Sequence, residues 1–297
     1  MLGTASAMPV SGRNQSAQAL RVHGRLFLVD AGEGVQRQLV RFALPLQRLE
    51  ALFLSHIHGD HCFGVFGLLS TLGMGGRQTP LDIYAPPAFA PILKFFLSYF
   101  GEGVGFEIRF HPLKMKAPER IFDAKSFEVL AFPLNHGIET FGYLFREKEP
   151  LWNVRREAVS ERGLTLTEIG SLKRGEDVHR SDGSLLKVEE FCYKPYAPRS
   201  YAYVSDTAPF PEEACWLKGV SVLYHEATYL EEYADQALQR HHSTTLQAAS
   251  VAREAGVEKL LIGHYSSRNT DISRYEAECR SVFGETYAAS DGDVFEI

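Results

Sequence analysis

A chain of 297 residues with 45% hydrophobic and 23% charged residues has the composition of an ordinary globular protein. No stretch approaches about eighteen consecutive apolar residues and the N-terminus lacks a signal-peptide pattern, so we expect neither a membrane span nor secretion. A net charge of −6 argues against indiscriminate nucleic-acid binding, but not against an enzyme that concentrates its positive charge in one place. Four scattered cysteines without a Cys-x-x-Cys pair argue against a disulfide framework and a cysteine zinc finger, and favour the reducing cytoplasm.

Short apolar strands alternate with helical patterns along most of the chain. This alternation predicts an α/β fold, and the whole length, residues 1–297, is compatible with one domain. The predicted strands lie at residues 18–22, 26–30, 51–55, 81–84, 127–132, 141–145, 201–205, 221–225 and 259–263. The predicted helices lie at residues 34–42, 65–72, 89–99, 244–255 and 272–283.

Residues 146–199 interrupt this pattern. They include eleven Lys or Arg and ten Asp or Glu residues, with little sustained apolar periodicity. A segment of this composition adds little to a hydrophobic core. We therefore expect an excursion from the compact body, either a solvated loop or an inserted substrate-binding arm.

Four potential metal ligands follow the buried strand at 51–55, in the sequence His56-Ile57-His58-Gly59-Asp60-His61. Imidazole and carboxylate are ligands preferred by zinc and similar divalent ions. In an extended or turning loop, His56 and His58 point to the same side, and Asp60 and His61 turn toward a neighbouring position. The loop therefore predicts two metal ions side by side.

Two ions need more ligands than this loop supplies, and three candidates follow strands further along the chain. His136 comes shortly after the strand at 127–132, Asp206 after 201–205, and His264 after 259–263. The carboxyl ends of strands are where α/β folds collect their chemistry. We expect these side chains to complete the metal site.

The motif His-x-His-x-Asp-His resembles the signature of hydrolases with the metallo-β-lactamase fold, and the three later candidates occur in the order found in that family. The resemblance implies a four-layer αβ/βα sandwich, with two Zn²⁺ ions at one edge between the sheets. One ion would be held by His56, His58 and His136, the other by Asp60, His61 and His264, with Asp206 bridging both.

Longer segments resemble ribonuclease Z, an endonuclease family that trims tRNA 3′ ends. They lie at residues 2–14, 29–39, 206–207, 225–228, 242–244 and 263–268. The resemblance implies a zinc-dependent endoribonuclease that removes the 3′ trailer from precursor tRNA. It would leave a 3′-OH on the tRNA and a 5′-phosphate on the trailer. It also implies a homodimer in which the arm of one subunit presents tRNA to the other.

The insertion at 146–199 falls where ribonuclease Z carries its flexible arm, an exosite that grips tRNA. Residues 170–175 are similar to the arm's Leu-Lys-x-Gly element, so Lys173 and Arg174 are candidate phosphate contacts. The Gly-Pro pair usual just before this element is absent, and residues 165–168 read Thr-Leu-Thr-Glu instead.

The resemblance also implies roles in catalysis. Two zinc ions polarise a phosphodiester and lower the pKa of a bridging water. Asp60 would orient that nucleophile and act as the base, and His242, supported by Glu226, would protonate the leaving ribose oxygen. His242 could instead belong to the N-terminal cap of the helix at 244–255. Arg268 could hold a phosphate or form a surface ion pair.

The alternative enzyme is a small-molecule metallo-hydrolase with the same centre: a cyclic-nucleotide phosphodiesterase, an arylsulfatase or a lactonase. A small-substrate enzyme has no use for a projecting segment of this size, so the arm favours the nuclease. A non-catalytic RNA-binding scaffold is disfavoured, because every expected metal ligand is present.

Overall fold

The computed structural model describes residues 1–297, which divide into two compact units. The first unit comprises Met1–Phe122, Val129–Phe145 and Ser200–Ile297, and the second comprises Asp123–Glu128 and Arg146–Arg199. None of the helices is long and apolar enough to cross a lipid bilayer.

The strands and helices alternate along the chain. The strands are β1 (Gln18–Val22), β2 (Arg25–Val29), β3 (Leu49–Phe53), β4 (Leu81–Ala85), β5 (Ile108–Pro112), β6 (Glu119–Asp123), β7 (Phe127–Pro133), β8 (Phe141–Glu147), β9 (Asn153–Val154), β10 (Val178–His179), β11 (Leu185–Leu186), β12 (Cys192–Tyr193), β13 (Ser200–Val204), β14 (Val222–Glu226), β15 (Lys259–Gly263) and β16 (Thr286–Ala288). The helices are α1 (Val35–Arg41), α2 (Gly59–Cys62), α3 (Gly64–Met74), α4 (Phe89–Phe100), α5 (Arg156–Glu161), α6 (Leu166–Arg174), α7 (Val188–Phe191), α8 (Glu213–Trp216), α9 (Ala234–Gln239), α10 (Thr245–Ala255) and α11 (Ser273–Arg280).

Two large sheets form the centre of the first unit. One has the order β1-β2-β3-β4-β5 and the other β16-β15-β14-β13-β8-β7-β6. Strands β2 to β5 pair in parallel, as do β13 to β16, so in each sheet the carboxyl ends of these strands share one edge. The antiparallel pair β1–β2 is joined by a two-residue turn at His23 and Gly24, both with positive φ.

Successive residues of the central strands point to opposite faces of each sheet. Leu28 and Leu52 pack with buried residues of α1 and α3. Their neighbours Phe27 and Phe53 face the other way and contact the ring of Phe145 on β8, at centroid distances of 5.9 and 5.4 Å. The aromatic layer between the sheets is therefore continuous.

The second sheet is covered on its outer face by helices. Leu223 on β14 and Leu260 on β15 pack with buried residues of α10 and α11, including Ala248 and Tyr275. The order of layers is helix, sheet, sheet, helix. The predicted αβ/βα sandwich is confirmed.

The predicted elements of this unit are present, with ends that differ by a few residues. Strands β5 and β6 were not predicted, because Ile-Arg-Phe-His-Pro and Glu-Arg-Ile-Phe-Asp are charged edge strands that lack the apolar runs of the central ones. The short helices α2, α8 and α9 were also not predicted, since four to six residues are too few to show a helical period.

The second unit has a small apolar core of its own. Its buried residues are Ala158, Leu164, Leu172, Leu186, Val188 and Cys192. Thr165, where the sequence lacks the Gly-Pro pair, caps α6 in a capping box with Glu168, and the helix ends at Gly175 with φ +84°. The segment is therefore better ordered than its charge content predicts, because short elements each contribute one or two apolar residues.

Candidate metal centre

The ligand-rich loop begins where β3 leaves the first sheet. The Leu54 N–H donates to the Tyr84 carbonyl on β4, and the Ser55 carbonyl accepts from Phe141 N–H on β8. The loop is thus held by both sheets before it reaches His56. Helix α2 starts at Gly59, so that Asp60 and His61 lie in its first turn, both buried.

The predicted metal ligands converge in two groups whose ligand atoms lie within 4.8 Å of one another. In the first, His58 Nδ1 lies 3.0 Å from His56 Nε2 and 3.3 Å from His136 Nε2. In the second, His61 Nε2 and His264 Nε2 are 3.3 Å apart. The first group is His56, His58, His136 and Asp206, and the second is Asp60, His61 and His264.

Asp206 lies between the two groups. Its Oδ2 is 3.6 Å from His56 Nε2, and its Oδ1 is 3.3 Å from His264 Nε2 and 3.4 Å from His61 Nε2. Oδ1 is buried without a hydrogen-bond partner. Buried carboxylate oxygens are rarely left unpaired, and a shared cation would satisfy this one. The donor set therefore fits divalent metal ions.

Hydrogen bonds behind the cluster orient four of its five imidazoles. His61 Nδ1 donates to Asp30 Oδ2 at 2.7 Å, and His136 Nδ1 donates to the His241 carbonyl at 2.9 Å. His56 Nδ1 and His264 Nδ1 face the hydroxyls of Ser55 and Thr228, which donate their own protons to carboxylates. These contacts place protons on Nδ1 and leave each Nε2 free to bind a metal, whereas His58 directs Nδ1 to the centre.

Asp30, Thr228 and His241 were not among the predicted site residues. The sequence gives one signal for Asp30, because it directly follows β2 at the same sheet edge as the ligand loop. Nothing in the sequence marks Thr228 as a partner of His264, or the His241 carbonyl as a partner of His136.

The charges of the cluster suit metal binding. Burial lowers the pKa of His56 well below its usual value, which leaves the ring neutral. Burial raises the pKa of Asp206, but the facing imidazoles of His264 and His61 outweigh this, and the pKa lies well below its usual range. Burial also lowers the pKa of His61, but the carboxylates of Asp206 and Asp60 outweigh this and raise it well above its usual value. A metal ion would displace the second proton of His61, because metals bind neutral imidazoles and ionised carboxylates.

His242 lies beside the cluster and is held by Glu226. His242 Nδ1 is 2.8 Å from Glu226 Oε1, and His242 Nε2 is 4.0 Å from Asp206 Oδ2. Glu226 also accepts from the backbone N–H groups of Thr207 and Ser243, at 3.0 and 3.1 Å. Burial lowers the pKa of His242, but the carboxylates of Glu226 and Asp206 raise it to about 9.

The cap of α10 is formed by other residues. The Thr244 side chain accepts from Gln247 N–H, and Gln247 reaches back to the Thr244 N–H. His242 precedes this capping box and faces Glu226 instead. His242 therefore takes no part in this cap, and its side chain lines the cleft.

A cleft of about 780 Å³ opens above the cluster. It is lined by both ligand groups, by the loop around Met8 and by Arg240 and Arg268. Arg268 is exposed and forms no ion pair. The predicted contacts Lys173 and Arg174 lie in the second unit, where Arg174 pairs with Glu176 at 2.8 Å.

Comparisons with known proteins identify relatives along the whole chain. Ribonuclease Z from Cytophaga hutchinsonii is 40% identical over 298 residues, which cover 100% of this chain and 95% of the relative. Ribonuclease Z from Bacteroides thetaiotaomicron is 37% identical, with 97% of this chain and 92% of the relative covered. A family model described as "Anti-Pycsar protein Apyc1" matches residues 1–136.

Solved structures share the fold. The short form of human tRNase Z superposes with a TM-score of 0.73 at 24% identity, covering 99% of this chain and 97% of that one. The metallo-β-lactamase fold protein YhfI from Bacillus subtilis gives a TM-score of 0.69 at 20% identity, covering 99% and 96%.

We predict that Asp206→Ala loses metal from both ligand groups, because each group would lose the carboxylate that they share. Elemental analysis of Zn²⁺-reconstituted protein measures the metal per chain. Asp82→Ala is the matched control, since Asp82 also pairs with a histidine, His111 at 2.7 Å, but outside the cluster. Full metal content in Asp206→Ala, or an equal loss in Asp82→Ala, would contradict the bridging role.

Proposed function

We propose that this chain, which belongs to the ribonuclease Z family, is a metal-dependent endoribonuclease that removes the 3′ trailer from precursor tRNA. The tRNA keeps a 3′-OH and the trailer a 5′-phosphate. The observation that carries the proposal is 40% identity to a ribonuclease Z over the full chain, in a sequence that retains both ligand groups.

We propose Zn²⁺ as the resident metal, because the ligands are five imidazoles and two carboxylates. His56, His58 and His136 would hold one ion, Asp60, His61 and His264 the other, and Asp206 would bridge them. When bound, the ions supply Lewis acidity to the phosphodiester and to a nucleophilic water.

Asp60 is the proposed base. Its Oδ2 lies 3.4 Å from both His61 Nε2 and His264 Nε2, and the side chain lines the cleft. Burial raises the pKa of this carboxyl, but the facing imidazoles of His61 and His264 lower it far below its usual value. The carboxylate is therefore ionised and can orient the attacking water by accepting a hydrogen bond from it. Its role as base further requires that bound metal ions lower the pKa of that water.

His242 is the proposed acid. Its Nδ1 proton is donated to Glu226, and its raised pKa keeps a second proton on Nε2 at neutral pH. Nε2 faces the cleft on the side of Asp206. A proton at this position can be transferred to the ribose 3′ oxygen as the P–O bond breaks, and Glu226 stabilises the imidazolium before transfer.

The second unit is the proposed arm. Lys173 and Arg174 are the last two residues of helix α6, and both side chains are exposed and could contact phosphates. We assign Arg268, which is exposed at the cleft, to a phosphate near the cut. We further propose a homodimer in which each arm presents tRNA to the other subunit. All four cysteines are free, which supports a reducing compartment, the cytoplasm.

A small-molecule hydrolase remains the alternative reading of the same centre. Such an enzyme would use the ligand groups and His242 in the same way. It would have no use for a unit with its own apolar core inserted between β8 and β13.

We predict that His242→Ala retains its metals but cleaves precursor tRNA about 10²- to 10⁴-fold more slowly, the range for a lost general acid. Bis(p-nitrophenyl) phosphate should be much less affected, because p-nitrophenolate leaves without a proton. His111→Ala removes a histidine that is paired with Asp82 outside the cleft, and should leave both rates unchanged. Equal losses of His242→Ala on the two substrates would contradict the acid role.

We predict that the second unit serves macromolecular substrates only. Glu147 N–H donates to the Arg199 carbonyl at 2.9 Å, so residues 149–197 can be replaced by a short Gly/Ser linker between hydrogen-bonded chain ends. The variant should lose most of its binding and cleavage of precursor tRNA, and keep wild-type turnover of bis(p-nitrophenyl) phosphate.

Wild-type binding should also weaken as salt rises, because phosphate contacts release counterions. Circular dichroism and metal content show whether the variant is folded and loaded. A folded, loaded variant that still processes precursor tRNA, or that loses the small substrate as well, would contradict this assignment of the second unit.

A further inference from the structure

Helix α9 ends in a backbone conformation that is uncommon for residues other than glycine. His241 has φ +54° and follows the C-cap Arg240. The His242 N–H donates to the Ala237 carbonyl at 2.9 Å, and the His241 N–H to Leu238 at 3.3 Å. These two bonds define the Schellman motif, whose left-handed position is usually glycine. Here the position is occupied by a histidine, for which the left-handed conformation is sterically unfavourable.

The carbonyl of His241 reaches the metal cluster from this position. It accepts a hydrogen bond from His136 Nδ1 at 2.9 Å. A carbonyl can only accept, so the proton lies on Nδ1 and the Nε2 lone pair faces His58 Nδ1, 3.3 Å away. Side chains orient the imidazoles of His56, His61 and His264. The imidazole of His136 is oriented by a backbone carbonyl instead.

The next residue after His241 is the proposed acid. His242 leaves the same motif with Nδ1 on Glu226 and Nε2 4.0 Å from Asp206 Oδ2. Two consecutive residues thus supply the carbonyl that orients a metal ligand and the imidazole that faces the bridging carboxylate. A change in the conformation of His241 would move both.

We propose that His241 is a positioning residue whose left-handed backbone, and not its imidazole, orients His136 for metal binding and places His242 beside the cluster. This inference rests on the proposed function, since it takes His136 as a metal ligand. The imidazole of His241 is exposed and makes no hydrogen bond. Its ring lies near Gly137, where an added Cβ would be 3.9 Å away, an ordinary contact.

Substitutions at this position separate the backbone from the side chain. His241→Gly and His241→Asn remove the imidazole and keep the left-handed conformation accessible, whereas His241→Val disfavours it because of its branched Cβ. We expect His241→Val to weaken Zn²⁺ binding about 10- to 100-fold, the cost of losing an orienting partner. The Gly and Asn variants should bind Zn²⁺ as tightly as wild type.

Competition with a chromogenic chelator measures the Zn²⁺ affinity, and the visible spectrum of the Co²⁺-loaded protein reports the ligand geometry. His23→Val is the matched control, because His23 has φ +47° in the β1–β2 turn and lies outside the cluster. It should lower the Tm without changing the Zn²⁺ affinity or the Co²⁺ spectrum. His241→Ala, which is less strained than Val, should give an intermediate affinity and serves if His241→Val does not fold.

Three results would overturn the inference. Wild-type Zn²⁺ affinity in both the Val and the Ala variants would show that the backbone is not needed. Equal weakening in the Gly, Asn and Val variants would assign the role to the imidazole. A wild-type protein that takes up no Zn²⁺ would contradict the metal centre itself, and so is distinguishable from the first two results.

Discussion

The site depends on one buried carboxylate held between two groups of imidazoles. Asp206 directs one oxygen to each group, and one of these oxygens has no hydrogen-bond partner in the protein. Desolvating a carboxylate in this way is costly unless positive charge faces it. The metal-binding capacity follows from this arrangement. Asp206 also adds to the rise in the pKa of His242, which Glu226 causes in the first place against the opposing effect of burial.

The two sheets must be packed against each other for Asp206 to meet its partners. Residues 56–61 follow β3 of the five-stranded sheet, whereas Asp206 and His264 follow β13 and β15 of the seven-stranded sheet. Asp30 joins the two sheets directly, since it accepts from Tyr203 of β13 at 2.6 Å and from His61 Nδ1. The aromatic layer between the sheets therefore contributes to the site as well as to the core.

Left-handed backbone occurs repeatedly at this edge. Five residues other than glycine have positive φ, and three of them, Asp30, His241 and His264, belong to or contact the metal cluster. A left-handed backbone conformation costs free energy in a residue other than glycine, and it persists only where contacts with the surrounding structure hold it in place. The hydrogen bonds to His61, His136 and Thr228 are contacts of this kind.

The sequence predicted what is encoded locally. The loop from His56 to His61 could be read directly, because its ligands are adjacent, and apolar runs identified the central strands. The partners behind the ligands could not be found in this way. Asp30 meets Tyr203 across 173 residues, and the His241 carbonyl carries no side-chain signature at all. The apolar core of the second unit was missed since it draws single residues from many short elements.

The central claim, hydrolysis at the 3′ end of precursor tRNA, is tested most directly by mapping the products of the Zn²⁺-loaded chain on a 3′-extended precursor. One cut at the tRNA 3′ end, with a 3′-OH on the tRNA and a 5′-phosphate on the trailer, is the predicted result. An intact precursor, in a preparation that hydrolyses bis(p-nitrophenyl) phosphate, would contradict the claim, as would a 2′,3′-cyclic phosphate or a 3′-phosphate on the tRNA.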